Sequence, residues 1–176
     1  LHQDERIQSR QFGILDMQGR SIGFSGENNR FAALHVSGKV GEDIFYQVQG
    51  NILFSERVMY DAALAFTKVH GTLADRVMAA MEAADDAGGD SRCTCEREPK
   101  PTAACDGKTS HVAYIAIADR DDTLGTTHND GDYYAYISVT DENILPTENA
   151  NPVRTLRMRY DAWKNDGSPR LPPPER

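Results

Sequence analysis

The 176-residue chain is short of cysteine, short of positive charge and without a long apolar run, and each shortage removes a class of protein. Three cysteines are too few for a disulfide-dense miniature scaffold. Lys and Arg number 19 against 27 Asp and Glu, giving a net charge of -8 and a pI near 5.1. That balance argues against a nucleic-acid partner, which is held by clustered Lys and Arg. No stretch is long and apolar enough for a bilayer span, and the mean hydropathy is -0.57. No H-E-x-x-H pair or C-x-x-C motif is present and no GxSxG elbow surrounds Ser91, so the chemistries these carry are not supported there. No internal repeat or signal peptide is found. The chain opens on Leu1 rather than Met, in the polar stretch LHQDERIQSRQ, and so reads as a processed or truncated product. Its length suits one domain with a single sizeable core: residues 1–165, followed by a proline-rich, extended and poorly ordered tail at 166–176.

The few cysteines are informative by position. Cys93 and Cys95 end the stretch AGGDSRCTC, directly behind a helical run, and Cys105 follows in a loop rich in Pro, Lys, Glu and Thr. A structural zinc site wants four ligands, paired as C-x2-C. Here the near pair is C-x-C, and His111 is the one candidate for a further ligand, so no metal and no cofactor is expected. The remaining reading is a disulfide from Cys93 or Cys95 to Cys105. It leaves an odd thiol, which in an exported protein points to a partner elsewhere.

Alternation of apolar and small residues in QFGILDMQGRSIGFSG predicts a hairpin, with Asp16 and Gly19 making the turn. Residues 27–43 read as a loop, and Ile44, Tyr46 and Val48 as a third strand. Two helices follow. Ser55 is placed to cap the first, with Val58, Ala62, Ala65, Phe66 and Val69 on one stripe. Thr72 and Asp75 form a capping box for the second, whose stripe is Leu73, Val77, Ala80, Met81 and Ala84, and Gly88-Gly89 stop it. HVAYIAIAD and DYYAYISVT read as strands buried between layers. Asn151-Pro152 opens a last helix whose inner stripe is Val153, Leu156, Tyr160 and Trp163. Strands in groups around a helical pair indicate an α+β layered fold.

Chemistry is best placed at QVQGN, where a strand runs into a helix and presents backbone N–H groups and amides suited to an oxyanion. Asn51 is the candidate donor, with Gln49 and Gly50 beside it. Glu27, Asn28 and Asn29, after the first hairpin, read as a polar loop or as the lining of a cleft. Asp90 and Arg92 form either a local pair or a clamp in which Arg92 grips a substrate carboxylate. Ser91 has only His111 as a candidate base. The run ADRDDTLGTTHNDGDYY is rich in Asp but lacks the EF-hand order, and reads as an acidic hairpin loop.

Four segments in order, RQFGILDMQGRSIGFSG, YQVQGNIL, LADRVMAAMEAADDAGGDSRC and NPVRTLRMRYDAWK, resemble a bacterial family of unknown function in the N-terminal-nucleophile (Ntn) hydrolase-like superfamily. The resemblance implies a four-layer αββα sandwich and lacks the family's opening strands. In an active Ntn hydrolase a newly exposed Thr, Ser or Cys is nucleophile and its own α-amino group is base; Leu1 can supply neither hydroxyl nor thiol. The resemblance therefore implies an exported (secreted or periplasmic) amide hydrolase, cut before Leu1, with its nucleophile outside this chain. The partner would be its own N-terminal fragment, bonded to the leftover cysteine, or identical subunits. The alternative is a non-catalytic binding or self-assembling protein that keeps the fold.

Overall fold

The computed structural model describes residues 4–97, 102–123, 125, 131–171 and 173. Leu1, Asp130 and the end of the tail, on which sequence expectations rest, lie outside the described residues. The chain divides into two compact units, Leu1–Arg92 and Cys93–Arg176. Together they are a mixed α+β protein: among the described residues there are three antiparallel two-stranded sheets and three α-helices.

In the first unit, β1 (Gln11–Leu15) and β2 (Ser21–Ser25) form the expected hairpin. Its turn is tied by Asp16, whose Oδ1 accepts from the Gln18 N–H (3.0 Å) and the Arg20 N–H (2.8 Å), while Gly19 takes a φ of 76°. The loop expected at 27–43 is corrected: β3 (Leu34–Val40) lies within it and pairs with β4 (Ile44–Gly50). Leu34, Val36 and Val40 alternate with His35, Ser37 and Lys39, the pattern of a half-buried strand, interrupted only at Gly38.

Helices α1 (Arg57–Lys68) and α2 (Leu73–Asp86) follow. Ala62, Phe66 and Ala80 are the buried centre of a core completed by Val40, Ile44, Tyr46, Val48, Val77 and Ala84. The α1 cap is corrected: Glu56 holds the cap position with no side-chain bond, and Ser55 offers only its carbonyl, to the Val58 N–H (3.3 Å). Thr72 and Asp75 do form the reciprocal capping box. The stripe of α2 is partly rotated: Leu73 is 58% exposed, whereas Met78 is fully buried. Arg76 is buried too, because its Nη1 donates to the Phe66 carbonyl (2.9 Å) at the end of α1. Gly88 and Gly89 end α2 as a Schellman motif, with Gly89 N–H on the Ala84 carbonyl (3.0 Å) and Gly88 N–H on that of Asp85 (2.9 Å).

The second unit packs α3 (Pro152–Asn165) on β5 (Val112–Ile117) and β6 (Ala135–Thr140). Val153, Leu156, Tyr160 and Trp163 are buried, as their spacing required. The strands are half-buried rather than sandwiched. Ala113, Ile115, Ala135, Ile137 and Val139 face inward, whereas Val112 and Tyr114 are exposed. Asn151 caps α3 through the Val153 N–H (3.2 Å). The disulfide is Cys95–Cys105, and Cys93 is buried outside it. The start of the tail is held rather than loose. Leu171 exchanges backbone bonds with Tyr134 (2.8 Å) and Tyr136 (2.7 Å), and the Pro169 carbonyl accepts from Trp163 Nε1 (2.7 Å).

Arg159 organises the return from β6 to α3. It grips Glu148 through Nε (2.8 Å) and Nη2 (2.7 Å), and also donates to the Ser138 carbonyl (2.8 Å) and the Asn143 carbonyl (2.7 Å). The Arg159 guanidinium, helped by the Leu145 N–H, holds the Glu148 carboxyl below the usual range against the opposing effect of burial. A carboxyl lowered in the folded state stabilises above its unfolded pKa, and that contribution is lost as pH falls through the folded value. Arg159→Met is expected to cost about 2 kcal/mol at neutral pH. Urea titrations across the acid range should show the deficit shrinking as Glu148 protonates. Cys95→Ser is expected to cost about 2–3 kcal/mol by the same measurement, because the loop it opens is short.

Candidate functional site

The polar groups of the first unit collect where two sheets meet. Gly13 and Gly23 stand directly opposite each other in the β1–β2 ladder. A Cβ on Gly13 would lie 2.7 Å from Gln47 Cγ and Gln49 Oε1; one on Gly23 would meet the His35 ring and Gln47 Nε2. The glycine pair thus lets the second sheet press its polar face, His35, Gln47 and Gln49, onto the first. Ser21 Oγ donates to Gln47 Oε1 (2.6 Å) across this contact, and Gln47 Nε2 is buried with no hydrogen-bond partner among the described residues.

Gln11, at the start of β1, crosses the same interface. Its Nε2 donates to the Gly50 carbonyl (2.7 Å), Ser25 Oγ (2.8 Å) and the Leu34 carbonyl (3.3 Å). Its Oε1 accepts from Asn51 Nδ2 (3.1 Å). Two carboxamides are therefore linked at the end of β4, where a fixed N–H donor can face a developing negative oxygen.

Beyond Asn51 the backbone is zipped to two loops. Ile52 has a φ of 58°, which is rare for a β-branched residue. Its N–H donates to the Arg30 carbonyl (3.3 Å), and its carbonyl accepts from the Ser91 N–H (2.9 Å) and Ser91 Oγ (2.8 Å). Ala32 and Leu53 exchange bonds of 3.2 and 3.3 Å, and Phe54 N–H reaches the Gly89 carbonyl (2.9 Å). Phe31 and Phe54 are 74% and 67% exposed on these strips.

The sequence candidates of the first unit fall around this ribbon. Gln49 is exposed, and Gly50 and Asn51 are half-buried. Asp90 and Arg92 are adjacent to Ser91 and form a bidentate pair, Nε to Oδ1 at 2.9 Å and Nη2 to Oδ2 at 2.5 Å. This is the local pairing that sequence offered beside the clamp. Glu27 and Asn28 are exposed and bind Gln8 through their N–H groups at 3.1 and 2.8 Å. His111 belongs to the other unit, where its Nδ1 lies 2.9 Å from Asp141 Oδ2. Asn29, beside Asn28, ties the loop down, its Nδ2 donating to the Arg10 carbonyl (2.8 Å) and the Gly26 carbonyl (2.9 Å). Sequence reading missed Gln11 and Gln8. The Gly13–Gly23 alternation was the available signal for Gln11, since small residues on one strand face announce close approach. Among the described residues no three His, Cys, Asp or Glu side chains converge to hold a metal.

The first unit is thus of the mixed α+β class, with helices on one sheet and a polar contact between two sheets. Residues 1–99 match the model of the family of unknown function DUF1028, and the chain belongs to that family. Protein SPO2555 from Silicibacter pomeroyi, a crystal structure of the same family, shares the fold at 19% identity with a TM-score of 0.59. The alignment covers 93% of this chain and 56% of that one, so the chain spans little more than half the length of this relative. No curated protein matches.

Gln11→Leu keeps the size of the side chain and removes its bonds to Gly50, Leu34, Ser25 and Asn51. It is expected to cost about 2 kcal/mol by leaving half-buried carbonyls unmet. Thermal unfolding, with the Asn51 side-chain amide followed by NMR, checks it: the Asn51 Nδ2 protons should lose their protection.

Proposed function

We propose that this chain is the larger part of an exported amide hydrolase of the Ntn type, with its nucleophile on polypeptide outside this chain. The observation that carries the reading is the Gln11–Asn51 carboxamide pair at the end of β4 (3.1 Å), at a strand-to-helix junction. One Asn51 N–H is engaged by Gln11, which fixes the amide plane and leaves the second N–H to donate to the oxyanion formed when an amide carbonyl is attacked. Arg92, Glu27, Asn28 and Gln49 would then contact the substrate from the neighbouring loops. The αββα sandwich of that superfamily would supply the missing layer over β1–β2. A disulfide is consistent with an extracellular location, and among the described residues no helix is long and apolar enough to cross a membrane.

A second reading is favoured by one surface. Phe12, Ile14, Ile22 and Phe24 share a face of the β1–β2 sheet, and Ile14 and Ile22 are 55% and 58% exposed. That apolar face suits a self-assembling protein that retains the fold without the chemistry.

The test is an amide-substrate screen, such as N-acyl amino-acid p-nitroanilides, on the natural protein, with its polypeptide composition read by intact mass. Asn51→Ala is expected to lower kcat about 100-fold with KM little changed. Wild-type turnover in that variant would remove Asn51 from the role. An inert natural protein that assembles by light scattering would favour the second reading.

A further inference from the structure

We propose that the second unit carries a proton-transfer site of its own, a His111–Asp141 dyad that activates water against small acyl esters. One step beyond the last ladder pair, Val112 with Thr140, His111 and Asp141 take the next facing position. Asp141 Oδ2 lies 2.9 Å from His111 Nδ1, and its Oδ1 is bound by the Lys108 ammonium. The Lys108 side chain is 0% exposed and that of Asp141 12%, while His111 keeps 35%. A buried ion pair is a poor device for stability, because desolvation offsets the attraction. Its service here is orientation. A carboxylate held by an ammonium only accepts, so the imidazole donates from Nδ1, and its neutral form carries the lone pair on Nε2.

The surroundings hold this geometry from both sides. Asn143 Oδ1 accepts from the Thr140 N–H (3.0 Å), pinning the turn that carries Asp141. Asn151, fully buried at the start of α3, donates to Thr109 Oγ1 (3.3 Å), between Lys108 and Ser110. Ser110 Oγ is buried and has no hydrogen-bond partner among the described residues. It sits one residue before His111 in the chain, a buried polar group whose hydrogen-bonding capacity is unspent. In the step, Nε2 takes a proton from water as the water oxygen bonds to the acyl carbon. The ester C–O bond then breaks, and the departing alcohol oxygen takes that proton from the imidazolium, leaving the carboxylic acid.

Hydrolysis of p-nitrophenyl acetate by the whole chain tests this, with the His111 tautomer read from its ¹⁵N shifts. The expected result is that the neutral form of His111 carries its proton on Nδ1 and that the esterase rate falls about 100-fold in His111→Gln. His70→Gln, at an exposed histidine on the other unit, should keep the wild-type rate. Asp141→Asn should move the His111 proton toward Nε2 and lower the rate; His111→Gln carries the test if that variant fails to fold. A proton on Nε2 in the wild type, no hydrolysis above buffer, or an undiminished rate in His111→Gln overturns the proposal.

Discussion

The first unit depends on a contact between two sheets made through polar side chains. Sheets ordinarily stack about 10 Å apart with apolar side chains interleaved. Here the Gly13–Gly23 pair removes the side chains of one face at its centre, and Gln47, Gln49 and His35 of the other occupy the space. Polar groups in such a place must bond to one another or leave donors unmet. Ser21 donates to Gln47 at 2.6 Å, Gln11 to Gly50 at 2.7 Å, and Asn51 to Gln11 at 3.1 Å. Gln47 Nε2 is left without a partner among the described residues. The apolar work of the unit is done on the opposite side of β3–β4, where Tyr46 and Phe66 pack at 5.0 Å between ring centres. The division leaves one side of β3–β4 for stability and the other for a shaped polar contact.

The second unit solves a different problem. Its sheet is small and covered by a single helix, so much of its order comes from side chains that tie loops down. Arg159 fastens the segment between β6 and α3, the Cys95–Cys105 bond closes the segment before β5, and Leu171 pairs beside β6. Arg159 bonds the Ser138 and Asn143 carbonyls on either side of Asp141, and the disulfide closes just before Lys108, whereas Leu171 secures the opposite end of β6 at Ala135.

Legibility followed the range of the interactions. Caps and turns are local, so Thr72–Asp75, Asn151, Gly88–Gly89 and the Asp16–Gly19 turn could be read directly. The α3 stripe was equally clear, because four large side chains recur at helical spacing. β3 carries an alternation, Leu34, Val36 and Val40 against His35, Ser37 and Lys39, but Gly38 within it and Gly41 after it give the segment the composition of a loop. Gln11 was hidden because a glutamine at a strand end looks solvent-facing until its partners, 14 to 40 residues away, are known. The tail misled by composition. Pro169 and its neighbours have the residues of a loose segment, yet Trp163 Nε1 needed an acceptor and found one there. Of the site candidates, Asn51, Asp90 and Arg92 prove to lie on adjoining strips because Ile52 and Ser91 bond through the backbone, a contact no local pattern announces.

The central claim is that close polar apposition of the two sheets, permitted by the glycine pair, holds the Gln11–Asn51 carboxamides in place. Hydrogen exchange of the Gln11 and Asn51 side-chain amides, in wild type and in Gly23→Ala, tests it most directly. The account requires slow exchange in the wild type and its loss when the added methyl group forces His35 and Gln47 away. Free exchange of the Gln11 amide in the wild type, or protection undisturbed in Gly23→Ala, would contradict it.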